Sequence, residues 1–194
     1  MNNRSLCFGT DFKVRAEPEN DKKYIEGYFV VYNKEVEIFN GYFEQISPQA
    51  LTESIKNNDI RCLFNHDTGF VFGRTGNKTV RLKSDDYGLF ASVEINQNDR
   101  QAMDIYERVK RGDITTCSFG FFERASEIKT SANNDEVHLT VTDADVFEIS
   151  VCPFPAYKDT EISARTAIVN ANARNRLTEH KSVLRKRLES LHHA

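Results

Sequence analysis

The sequence predicts a mainly β fold with helices, either an antiparallel β-barrel or a sandwich with the helices packed outside. Short runs rich in β-branched and aromatic residues recur along the first 160 of its 194 residues, the composition of a pleated, half-buried surface. Turn signals separate these runs. Only two segments ahead of the C-terminal tail carry helical features, and many short strands with few helices favour a barrel or sandwich.

Taken in order, the first clear strand is YIEGYFVVY at residues 24–32. Residues 47–56 open SPQAL and read as a helix. Ser47 suits the N-cap, and Pro48 suits the first helical position, where a missing N–H costs little. RCLFNH at residues 61–66 is a second strand, and Gly69 and Gly73 bracket a third around residues 70–72. Residues 79–83 and 89–95 form a hairpin whose SDDYG turn ends in Gly88, a place for a positive φ. In residues 98–111, Ala102, Ile105, Tyr106 and Val109 lie at helical spacing, with Asn98 as cap and Gly112 as stop. CSFGFFE (117–123) and DVFEISV (145–151) are the last core strands, and 137–141 pairs nearby. Residues 126–136 are polar and turn-rich, so they read as an exposed loop. Pro153 and Pro155 stop the final strand.

The charge divides the chain. Residues 1–160 carry a net −7 and the remainder +4, for a total of −3. Leu177, Leu184, Leu188 and Leu191 recur at helical spacing among basic residues, so 166–194 is expected to be a basic amphipathic helical tail behind a domain of residues 1–165. The mildly acidic balance argues against a nucleic-acid partner. No apolar run approaches the roughly 18 residues of a membrane span, and the N-terminus lacks the apolar stretch of a signal peptide. A soluble, intracellular protein is expected. Cys7, Cys62, Cys117 and Cys152 are scattered, with no C-x-x-C pair, so no metal site is expected and the thiols read as small core residues.

Glycine-rich phosphate loops, HExxH and GxSxG are absent from the sequence. The candidate chemistry is dispersed. His66, in FNHDTG, ends a strand and can project into a cleft, where imidazole suits proton transfer near neutral pH; the plainer reading is an ordinary hydrogen-bonded histidine. Ser118, in TTCSFGF, is a hydroxyl in an apolar strand and needs a partner; that partner can equally be a neighbouring carbonyl. Gly120, two residues on and on the same face, leaves room for a substrate backbone. Cys117 is the rival nucleophile, but adjacent strand residues point to opposite faces, so only one of the pair faces His66. Glu148, in VFEIS, is a carboxylate among apolar neighbours and calls for a partner. A histidine N–H is suitable; an arginine or an exposed strand face would also serve. His138 and Asp67 compete with it as the third member.

In this order the fragments resemble the HK97-type prohead protease family of tailed phages and prophages. The resemblance is carried by EGYFVVYN, FNGYFEQISPQAL, LFNHD, FGRTGNKTVRLKSDDYGLFASVEI, YERVKRGDITTCSFGF and VFEISVCPFPAYKDTEI, spread over residues 24–165. It implies a serine endopeptidase that works inside the immature capsid in the host bacterial cytoplasm. Its partners would be the major capsid protein with its scaffolding segment, which it trims, and further copies of itself, which it also processes. No cofactor is implied. The fold implied is a β-barrel surrounded by helices, similar to the herpesvirus assembly proteases. The family's NHD histidine falls on His66, its SFGF serine on Ser118 and its FE-x-S acid on Glu148. By analogy with the herpesvirus enzymes, the loop at 153–157 would supply the oxyanion donors, from Phe154, Ala156 or Tyr157, since Pro153 and Pro155 have no N–H. Two other readings stand beside this one: an inactive scaffold or chaperone with the same fold, and a cysteine protease using Cys62 or Cys117.

Overall fold

A computed structural model describes residues 3–9, 12–17, 22–131 and 136–154. In chain order these form β1 (Asn3–Gly9), β2 (Lys13–Glu17), β3 (Lys22–Val31), β4 (Val36–Phe39), β5 (Tyr42–Ile46), α1 (Thr52–Asn57), β6 (Arg61–Phe64) and β7 (Asp67–Arg74). A 3-10 turn (Thr75–Asn77), β8 (Val80–Ser84), β9 (Gly88–Ile95), α2 (Arg100–Arg111), β10 (Thr116–Thr130) and β11 (Val137–Cys152) follow.

The strands form two sheets. In the seven-stranded sheet β10 lies between β1 and β11, antiparallel to both. The other edge of β11 is shared: β5 pairs along Val137–Val141 and β6 along Glu148–Val151, both parallel to it. β4 and β7 extend these two arms as antiparallel partners of β5 and β6. The four-stranded sheet has the order β2-β3-β9-β8 and is antiparallel throughout.

The expected antiparallel barrel surrounded by helices is not what forms. Among the described residues the sheets do not close into a barrel, and only two α-helices are present. The reason is the divided edge of β11. Its two parallel arms end in β4 and β7, which pair with no further strand among the described residues, so neither carries pairing round to β1.

The core is built from both sheets. Phe29, Ile25 and Leu89 from one and Phe119, Phe121, Ile149 and Leu6 from the other are at most 1% exposed. Each such side chain contributes about 1.5–3 kcal/mol when fully buried. Cys117 Sγ lies 3.3 Å from the Tyr28 carbonyl and 3.7 Å from that of Phe29, so β10 meets β3 through this face.

Local signals were kept with shifts. α2 buries Ala102, Ile105, Tyr106 and Val109, and Gly112 ends it at φ 86°. Its cap is Asp99 and not Asn98: Asp99 Oδ1 accepts from Gln101 N at 2.9 Å and Ala102 N at 3.2 Å. α1 starts at Thr52, with Leu51 in the cap position; ahead of it the chain makes two turns, Ala50 N donating to the Ser47 carbonyl at 3.1 Å and Thr52 N to that of Gln49 at 3.2 Å. Gly88 does not take a positive φ. It is needed for close approach, since a Cβ there would lie 2.0 Å from the Val30 carbonyl oxygen. The loop expected from residue 126 is strand as far as Thr130, and the two runs at 137–141 and 145–151 are one strand. The basic tail at 166–194 and the end of the 1–165 domain lie outside the described residues.

Candidate active site

Three strands deliver the site. β10 and β11 place Ser118 opposite Ser150 and Gly120 opposite Glu148. Strand alternation puts these four on one face and Cys117, Phe119, Ile149 and Val151 on the other. β6 lies along the other edge of β11, with Leu63 beside Ser150 and Phe64 beside Val151. The chain leaving β6 therefore arrives next to Ser150. Phe64 pairs with Asp67, so Asn65 and His66 alone make the turn, with φ of 51° and 61°. Two positive φ values are the pattern of a type I′ hairpin turn. For non-glycine residues that conformation costs about 1–2 kcal/mol each. It is held by Asn65 N donating to the Val151 carbonyl at 3.0 Å and His66 N donating to Ser150 Oγ at 3.2 Å.

This turn sets the imidazole against a buried acid. His66 Nδ1 lies 2.8 Å from Glu148 Oε1, and Ser150 Oγ donates to Glu148 Oε2 at 2.6 Å. The Glu148 side chain is 5% exposed and the His66 side chain 34%. A carboxylate so buried is tolerable only when paired and hydrogen-bonded, and here both oxygens are engaged. Gly120 has a different part from the one expected. A Cβ at Gly120 would stand 2.4 Å from Glu148 Oε1 and 2.6 Å from the Phe147 ring, so the room it leaves is filled by the carboxylate and the ring.

Ser118 is fully buried, and its Oγ donates to the Leu6 carbonyl of β1 at 2.9 Å. A hydroxyl has one proton to give, so in this arrangement β1 holds it. Cys117 faces the core, away from His66. Cys62 is buried, and desolvation, followed by the Glu148 charge, pushes its thiol well above the ordinary range. The thiol form is a poor nucleophile.

The competing third members are elsewhere. His138 contacts Glu35 at 2.7 Å and stacks on Phe43 with ring centroids 5.0 Å apart. It lies on the order of 30 Å along β11 from Glu148. Asp67 Oδ1 accepts from Gly69 N at 2.8 Å, a bond within β7. Phe154 is 77% exposed just beyond β11, and Ala156 and Tyr157 lie outside the described residues. Reasoning from the sequence did not single out Ser150, although FE-x-S contains it. Its parity with Glu148 was the available signal. Among the described residues, no group of three or more His, Cys, Asp and Glu side chains is placed to hold a metal ion, and no helix is long and apolar enough to cross a membrane.

A family model described as caudovirus prohead serine protease matches residues 10–174. The chain belongs to this family. It is accordingly a serine peptidase of phage capsid maturation, whose place is inside the procapsid in the host cell, in contact with capsid proteins. The match to the prohead proteases takes in His66, Ser118 and Glu148 and begins after β1. No curated protein and no solved structure matched the chain.

Proposed function

We propose that this prohead protease cleaves peptide bonds with Ser118 as nucleophile, His66 as general base and acid, and Glu148 as the residue that orients the imidazole. Its substrates are the scaffolding sequence attached to the capsid protein, and its own chain. The observation that carries the reading is the 2.8 Å contact between His66 Nδ1 and the buried Glu148 carboxylate. A carboxylate only accepts, so the neutral imidazole carries its proton on Nδ1, and Nε2 takes the role of base. Nε2 is shielded from water, which strengthens electrostatic interactions there.

In the reaction, Ser118 Oγ attacks the scissile carbonyl carbon while its proton passes to His66 Nε2. The imidazolium, stabilised by Glu148, then gives that proton to the leaving amine. Water repeats the cycle on the acyl-enzyme and frees Ser118. Backbone N–H groups after β11, at Phe154 or Ala156, are proposed to hold the oxyanion, each worth roughly 10²–10³ in rate.

Attack requires the Ser118 hydroxyl to be released from Leu6. The reading therefore includes parting of β1 from β10 near Ser118, with an extended substrate segment taking the vacated edge by strand addition.

One observation favours the inactive-scaffold reading, namely the full burial of Ser118. Against it, a scaffold has no use for a buried carboxylate aimed at a histidine on a strained turn. Co-expression of the full chain with its capsid protein separates the two. The protease reading predicts processing that His66→Ala abolishes; a scaffold would support assembly with no processing by either chain.

A further inference from the structure

The proposed triad leaves one buried polar side chain at the site without a role. Ser150 is fully buried, and its Oγ makes two bonds to two different parts of the site. It donates to Glu148 Oε2 at 2.6 Å and accepts from the His66 backbone N–H at 3.2 Å. With the His66 Nδ1–Glu148 Oε1 contact of 2.8 Å, these bonds close a ring: His66 backbone to Ser150, Ser150 to Glu148, Glu148 back to the His66 imidazole.

We infer that Ser150 is a positioning residue, which locks the base and its acid to each other through a single hydroxyl. The inference rests on His66 and Glu148 acting as proposed above. Three physical points support it. The His66 turn is left-handed without glycine, with φ of 51° and 61°, and such a turn persists only where its surroundings over-determine it. Ser150 Oγ is one of the anchors. A carboxylate bonded through one oxygen alone can swing, whereas Ser150 holds the second oxygen of Glu148 and so fixes the direction of the first. The Ser150 proton is spent on Glu148, which separates its role from that of Ser118 on the opposing strand. Hydrogen bonds to charged groups are among the stronger ones in proteins, so losing this one should be felt at the imidazole.

The same three residues also explain why the pattern reads E-x-S. Residues two apart on a strand share a face, so Ser150 reaches back to Glu148 while the parallel register with β6 puts it under the incoming His66 backbone. Neither a lone glutamate nor a lone turn would hold the ring in place.

The test uses the full chain with ¹⁵N-labelled histidine, and the His66 signal is assigned by its loss in His66→Ala. In the wild type the Nδ1–H proton is expected to be shielded from exchange with water. Ser150→Ala is expected to speed that exchange at least tenfold, as Glu148→Gln does, while circular dichroism and melting show a folded protein. Unchanged exchange in folded Ser150→Ala overturns the inference. If Ser150→Ala does not fold, Ser150→Cys, similar in shape with a weaker donor, is read in the same way.

The second arm is capsid-protein processing. Ser150→Ala should lower kcat about 10- to 100-fold with little change in KM. In a Glu148→Gln background the same change should cost less than about threefold, because neighbours that act as a unit are not additive. Fully additive losses would contradict the ring. Ser118→Ala is run alongside. Processing that survives Ser118→Ala rejects the serine mechanism, whereas the exchange arm judges Ser150 whatever that outcome.

Discussion

Gly120 and Glu148 face each other on β10 and β11, and the carboxylate of one occupies the space where the other lacks a side chain. A methyl group at Gly120 would lie 2.4 Å from Glu148 Oε1, too close for either to stay. Gly120→Ala is therefore expected to push Glu148 off His66. The protein should lose about 1–3 kcal/mol of stability and at least 100-fold in processing rate, measured as kcat against the capsid protein. Near-normal kcat in a folded Gly120→Ala would show that the position of Glu148 is not critical.

Glu148→Gln keeps the shape and removes the charge. By triad logic it should lower kcat by about 10²–10⁴. His138→Ala, which breaks the contact with Glu35 at the far end of β11, should leave kcat within about twofold. Equal losses from both would take the orienting role away from Glu148.

Removal of β1 tests its cover over Ser118. Truncation of residues 1–9 takes away the Leu6 carbonyl that holds the Ser118 proton. In the folded protein, modification of Ser118 by a fluorophosphonate should then speed up at least tenfold, as read by mass spectrometry. The truncated chain also loses buried Leu6, so its melting temperature should fall. Slower or unchanged modification of a folded truncated chain would show that β1 does not limit access.

Acid should weaken the fold through aspartates held below their ordinary value of 3.8, among them Asp85 and Asp145. Asp85 is lowered first by the Tyr28 hydroxyl, which donates to it at 2.7 Å, and then by the Gly88 and Tyr87 N–H groups of the hairpin turn. Asp145 is lowered by Asn58, then by Arg124. A depressed carboxyl contributes stability above its unfolded pKa and loses it as the pH drops through the folded one. Melting temperature should thus fall below about pH 4. Asp85→Asn should be less stable than wild type at pH 7, with the gap narrowing at pH 3. A gap independent of pH would mean that the Asp85 charge does not matter.

Much of the site could be read from residue types and strand parity. Ser118 and Cys117 are adjacent, so their opposite facing was predictable, and Glu148 in an apolar strand announced a partner. The architecture was harder to read. Long-range register decides whether strands close into a barrel, and nothing local in residues 42–46 or 61–64 shows that both lie parallel on one edge of β11. Residues 126–130 looked like loop because their side chains are polar, yet ladder hydrogen bonding to Val137–Val141 carries them as strand. Asn40-Gly41, a strong two-residue turn signal, joins β4 and β5. The role of Gly120 depends on a contact across strands that spacing along one strand cannot reveal.

Everything proposed for the reaction turns on Ser118 as the nucleophile. That role is tested most directly by expressing the full chain with its capsid protein as Ser118→Ala and, separately, Cys117→Ala, and following the capsid protein by mass spectrometry. Uncut capsid protein is expected with the first and near-normal processing with the second. Continued processing by Ser118→Ala, or its loss only in Cys117→Ala, would contradict it.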